Sequence, residues 1–94
     1  METNKLHIIA AILARSNMGM HRPESHEIAD LKSSRYSVTL DSAVTHLCQQ
    51  FMESDEHYDI FMGEGQMFVD MMTERGEEKS RESWPDIFKL YDEA

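Results

Sequence analysis

No lysine or arginine occurs from Tyr36 to Glu74, a stretch holding eight acids: Asp41, Glu53, Asp55, Glu56, Asp59, Glu64, Asp70 and Glu74. A surface built there has a negative potential that repels nucleic acid and attracts basic partners. The imbalance is local. Residues 1–54 carry six acids against five bases, and residues 55–94 carry twelve against four. Cysteine is nearly absent. Cys48 stands alone and cannot make an internal disulfide, so a thiol acting as a small hydrophobe in a reducing, cytoplasmic setting is expected. No apolar run approaches the roughly 20 residues of a membrane span. The stretch from Leu6 to Ala14 (LHIIAAILA) lacks a cationic leader and a cleavage signal, so it reads as a core helix rather than a signal peptide. No membrane partner is expected. There is no internal repeat and no low-complexity segment. Ninety-four residues with 40% apolar and 29% charged side chains make one globular domain, residues 1–94.

The chain is organised around Thr39 to Phe51 (TLDSAVTHLCQQF). Leu40, Val44, Leu47, Cys48 and Phe51 form one stripe of an amphipathic helix. Thr39 suits the N-cap, and Asp41 suits the positive end of the helix dipole. The other face carries Ser42, Thr45, His46, Gln49 and Gln50, polar and almost uncharged.

Upstream, Thr3 to Ser16 reads as a helix apolar over much of its circumference, with Asn17-Met18-Gly19 as stop chemistry. Pro23 opens a second helix to about Ser33, and a polar turn leads to Thr39. This is the order of a three-helix helix-turn-helix unit. Downstream, His57 to Met72 fits two periods. With period 2, Tyr58, Ile60 and Met62 precede a Gly63-Glu64-Gly65 turn, and Met67, Val69 and Met71 follow, making a β-hairpin. With helical spacing, Tyr58, Phe61, Gly65, Phe68 and Met72 share a stripe. Two glycines cost a helix interior roughly 2 kcal/mol against alanine, and the hairpin is the expectation. Thr73 to Glu82 reads as a polar connector or helix start. A last helix runs from Trp84 to about Asp92, with Ser83 as cap and Asp86 completing a capping box. Trp84 and Tyr91 on its stripe are expected as core or dimer-interface anchors.

The chemistry-bearing residues form no reactive constellation. His46 and Cys48 lie roughly 200° apart on a helix, so they cannot share a metal, and Cys48 has no adjacent base. His21 and His26, with Glu24 or Glu27, lack a second clustered pair and are expected to be solvated or locally bonded. Gly63-Glu64-Gly65 lacks the spacing and lysine of a phosphate loop, and the acids from Glu53 to Asp59 lack calcium-loop spacing. No enzyme, metal or cofactor is expected. Met62, Met67, Met71 and Met72 fill a core, or else form a pliable docking surface, ringed by acids, for a basic amphipathic partner.

Helix, short helix, capped helix, glycine-tipped hairpin and closing helix resembles a winged helix-turn-helix domain of the MarR and PadR type. Gln66 to Glu78 (QMFVDMMTERGEE) is similar to the element that follows the wing in those repressors, with Thr73 and Gly76 at the matching positions. The resemblance implies a recognition helix at Thr39 to Phe51 presenting Ser42, Thr45, His46 and Gln49, and a wing around Glu64. It also implies phosphate contacts from Arg22, Lys32 and Arg35, and a dimer joined by the first and last helices. The sequence departs from the pattern where the wing and recognition helix carry no base, and phosphate neutralisation supplies most nonspecific affinity.

The fold expected is mainly α: a helix-turn-helix core, a hairpin wing over residues 57–72 and a C-terminal helix, with an all-α bundle as alternative. The function expected is that of a small acidic regulator or inhibitor. It would bind a basic surface of a partner protein through Glu53, Asp55, Glu56, Asp59, Glu64 and Asp70. The alternative is a dimeric DNA-binding transcriptional regulator using Arg22, Lys32, Arg35, Ser42, Thr45, His46 and Gln49. A plain assembly subunit fits the same residues.

Overall fold

Six helices follow one another in the computed structural model, which describes residues 3–19, 21–33, 38–49 and 55–94. They are α1 (Thr3–Asn17), α2 (Ser25–Lys32), α3 (Leu40–Gln49), α4 (Asp55–Arg75), α5 (Glu77–Ser83) and α6 (Pro85–Glu93). The architecture is all-α, with no strand among the described residues. Helix α1 is the axis. Ile8, Ile9, Ala10, Ala11, Ile12, Leu13 and Ala14 are all buried, and α2, α3, α4 and α6 pack around it. A helix apolar on every side can bury every side only at the centre of the bundle.

The Thr39 cap forms as expected, and more completely. Ser42 N–H donates to Thr39 Oγ1 at 3.1 Å, while Thr39 N–H donates to Ser42 Oγ at 2.9 Å. This reciprocal pair is a capping box with serine in the position usually held by Glu or Gln. Gln50 and Phe51 lie outside the described residues, as do Arg35 and Glu53. Helix α2 starts at Ser25, two residues after Pro23, with Glu24 in extended conformation at its N-cap.

The hairpin expected over residues 57–72 is not formed, because that stretch lies within the 21-residue helix α4. The buried residues are Phe61, Gly65, Phe68 and Met72, all on the helical stripe. Fully burying a Phe or Met side chain contributes about 1.5–3 kcal/mol, so three such residues outweigh the roughly 2 kcal/mol lost to two glycines. An exposed two-stranded hairpin, by contrast, is marginal in water. Gly65 also has a packing role, since a Cβ there would sit 2.8 Å from Leu40 Cδ1. Its bare backbone is what lets the start of α3 lie against α4.

The connector expected at Thr73 to Glu82 is the last turn of α4 followed by α5, with the chain turning at Gly76 (φ 86°, ψ 164°). Ser83 does not cap α6. It closes α5, donating to Lys79 O at 3.2 Å, and α6 starts with Trp84 at the N-cap and Pro85 in its first turn. Proline's fixed φ and missing N–H suit that position without a side-chain cap. Ile87 and Phe88 are buried as the stripe requires, and Trp84 meets Phe68 edge-on at 5.8 Å between ring centroids.

Two ionic devices tie the helices. Arg15 on α1 donates to Glu27 on α2 at 2.9 Å, and both side chains are buried. Arg81 on α5 holds Asp92 on α6 through both terminal guanidinium nitrogens, at 2.8 and 3.3 Å, and reaches Glu77, which also pairs with Lys5 on α1. The hydrogen bond from Lys5 holds the Glu77 carboxyl below its ordinary pKa. The bond from Arg81 does the same for Asp92, and Asp92 in turn raises the Arg81 guanidinium.

Candidate protein-binding face

Because α4 is continuous, it sorts its acids by angle. At 3.6 residues per turn, Asp55, Asp59, Asp70 and Glu56 fall within an arc of roughly 100°. That arc lies opposite the buried stripe, and all four are exposed. Glu64 is not among them. It is half-buried, lies on the flank toward α1, and accepts a hydrogen bond from Asn17 Nδ2 at 3.0 Å. Asp70 accepts from Gln66 Nε2 at 3.0 Å, one turn back along the same face. The first base on α4 is Arg75 in its last turn, and its guanidinium sits 5.9 Å from the Trp84 ring, toward α6. The exposed arc therefore carries acid toward both ends, with no lysine or arginine among it.

The methionines divide. Met72 is buried, Met62 and Met71 are half-buried, and Met67 is 44% exposed. Ile60, at 37%, is the other exposed large hydrophobic among the described residues. Ile60 and Met67 are seven residues apart, so they stand on one line two turns apart, beside Asp59 and Asp70. Reading the sequence for acids alone overlooks Ile60. The signal that could have found it was the helical period, which puts Ile60 roughly 110° around the helix from the centre of the buried stripe.

Helix α3 offers less than its sequence promises. His46, expected to face outward, is buried at 4% exposure together with Leu40, Ala43, Val44, Leu47 and Cys48. The buried arc is roughly 200° wide, because α1 and α4 grip α3 from two sides. Only Asp41 and Gln49 are exposed on it, with Ser42 and Thr45 half-buried and Ser42 engaged in the cap. Lys32 donates to Tyr91 O at 2.8 Å and Ala94 O at 3.1 Å, and its ammonium lies 4.4 Å from the Tyr91 ring centroid. Arg22 pairs with Asp86 at 3.5 Å across an exposed surface.

His26 Nδ1 lies 3.2 Å from Glu24 Oε2, and no three His, Cys, Asp or Glu side chains gather at one point among the described residues. No helix among them is long and apolar enough to cross a membrane. Two shallow clefts lie among the described residues. One, of about 400 Å³, is bounded by Leu6, Met72, Thr73, Gly76 and Glu77. The other, of about 260 Å³, is bounded by Leu13, Ser16, Asn17, Arg22, Phe68, Trp84 and Ile87. The chain matches no protein-family model, no curated protein and no solved structure. Its role has to be read from its own surfaces.

Proposed function

We propose that this chain is a small acidic regulator that binds a partner protein through the outer face of α4. One observation carries the reading: Asp55, Glu56, Asp59 and Asp70 are exposed together on one continuous helix that has no lysine or arginine before Arg75. Charges of one sign on a helix steer and orient a partner of opposite sign and penalise nucleic acid. A basic surface on the partner, occupied by this helix, would be withheld from other acidic ligands, which is how an inhibitor of this kind works. No observation favours groove reading by α3. Its exposed positions include an acid, and Lys32 is engaged at the end of α6.

The test is capture by the immobilised full chain from its host's lysate, with and without nuclease. The wild type is compared with Asp55→Lys/Asp59→Lys/Asp70→Lys and with Glu78→Lys/Glu82→Lys/Glu93→Lys, which makes the same charge change on α5 and α6. A stoichiometric protein that survives nuclease and is lost only with the α4 variant is the expected result. Recovery of nucleic acid, or equal loss with both variants, overturns the reading.

A further inference from the structure

We infer that the segment bound by this face is itself a basic amphipathic helix, crossing α4 at Gly63 between Ile60 and Met67; this rests on the acidic-face reading above and names its partner. The chain has four glycines, and the fold accounts for three. Gly19 and Gly76 have positive φ, and Gly65 faces Leu40 at 2.8 Å. Gly63 stands in mid-helix, is exposed, and has nothing within 4 Å of the position its Cβ would take. Alanine would serve the helix better there, so nothing among the described residues explains the missing side chain. A bare backbone position on an outer face is what another backbone needs for close approach.

The neighbours of that notch say what approaches. Ile60, Gly63 and Met67 follow the 3-and-4 spacing of a helix-packing seam, and the two apolar members are 37% and 44% exposed. Continued along α4, the seam ends in Glu56 on one side and Glu74 on the other, both exposed. From Ile60 to Met67 the rise is roughly 10 Å, enough for one crossing helix and too short for an extended coiled coil. A helix laid over Gly63 sets apolar side chains on Ile60 and Met67 and its flanking Lys or Arg on the acids. A second copy of this chain would bring acid against acid, so charge selects a basic partner.

The probe is a labelled, roughly 18-residue peptide with Leu at the a and d positions and Lys elsewhere, against a scrambled peptide of the same composition. Anisotropy titrations use the full chain, with circular dichroism to confirm that each variant is folded. The wild type should bind the amphipathic peptide about tenfold or more tighter than the scrambled one. Gly63→Gln, which fills the notch at an exposed helix position, should remove that preference, and Met67→Glu should do likewise. Equal binding of the two peptides by the wild type, or unchanged preference in Gly63→Gln, overturns the helix crossing. If Asp59→Lys/Asp70→Lys then still abolishes binding, the acidic-face reading survives alone. Failure of the wild type to bind either peptide overturns the inference. A dimer in sedimentation that Gly63→Gln dissociates does so too, by giving the seam to a second copy.

Discussion

A Cβ on Gly65 would meet Leu40 Cδ1 at 2.8 Å, while one on Gly63, half a turn earlier, would meet nothing within 4 Å. The two glycines therefore respond oppositely to the same change. Gly63→Ala should stabilise the fold by about 0.5–1 kcal/mol, the helix-propensity difference. Gly65→Ala gains the same propensity but drives a methyl into the buried Leu40, and overpacking of this kind costs about 1–3 kcal/mol. A net loss is expected. Urea denaturation of both variants followed at the helical circular dichroism band checks the pair, and Leu40→Ala should relieve Gly65→Ala in a double-mutant cycle.

The buried pair Arg15–Glu27 joins α1 to α2 at 2.9 Å. Removing one partner leaves the other charge buried, at a cost of about 3–5 kcal/mol in comparable pairs. Glu27→Ala is expected to lower the denaturation midpoint steeply. Arg15→Met with Glu27→Leu, which removes both charges and keeps volume, should recover most of the loss. If the double variant proves as unstable as Glu27→Ala, the cost is lost packing rather than the loss of the ion pair.

What was legible in the sequence was local. The apolar circumference of α1, the Thr39 cap and the Ile87–Phe88 stripe of α6 each depend on residues within one or two turns, and each helix forms where its pattern puts it. Residues 57–72 satisfied period 2 and period 3.6 alike, and Gly63-Glu64-Gly65 resembled a turn because the reason for Gly65 lies on another helix. His46 looked outward because it is polar, but the side of α3 it occupies is covered by its neighbours. The Arg15–Glu27 bond has no local signature at all. On the candidate face, the acids could be read as a run, but only the helix shows that Glu64 leaves the group and Ile60 and Met67 join it.

Acid should loosen the ties of α5 to α1 and to α6. Glu77 and Asp92 have carboxyls held below their ordinary pKa by Lys5 and Arg81 respectively. A folded-state pKa below the unfolded one gives stability that is present above the unfolded value and lost as pH falls through the folded one. The loss therefore begins near the ordinary carboxylate range, about pH 4, and continues below it. Both groups are partly exposed, so each contributes about 0.5 kcal/mol, as exposed ion pairs do. Unfolding free energy measured against pH should fall less steeply below pH 4 in Asp92→Asn than in the wild type. The two curves should converge at the acid end.

Gly76 places the bend between α4 and α5 at φ 86° and ψ 164°, a region that L-residues other than glycine avoid. Nothing lies within 4 Å of the position of an L-Cβ there, so a substitution is opposed by backbone strain alone and not by a clash. Gly76→Ala should cost about 1–3 kcal/mol. The mirror residue separates this cause from any packing effect. D-Alanine at position 76, introduced by joining synthetic segments at Cys48, finds the same backbone angles in its own favoured extended region. It also restricts the unfolded chain, so it should match or exceed glycine by up to about 1 kcal/mol. Thermal denaturation of the L- and D-alanine forms decides the matter. Equal losses in both would mean that the bend needs an uncovered backbone at position 76, and the strain account of this turn would be wrong.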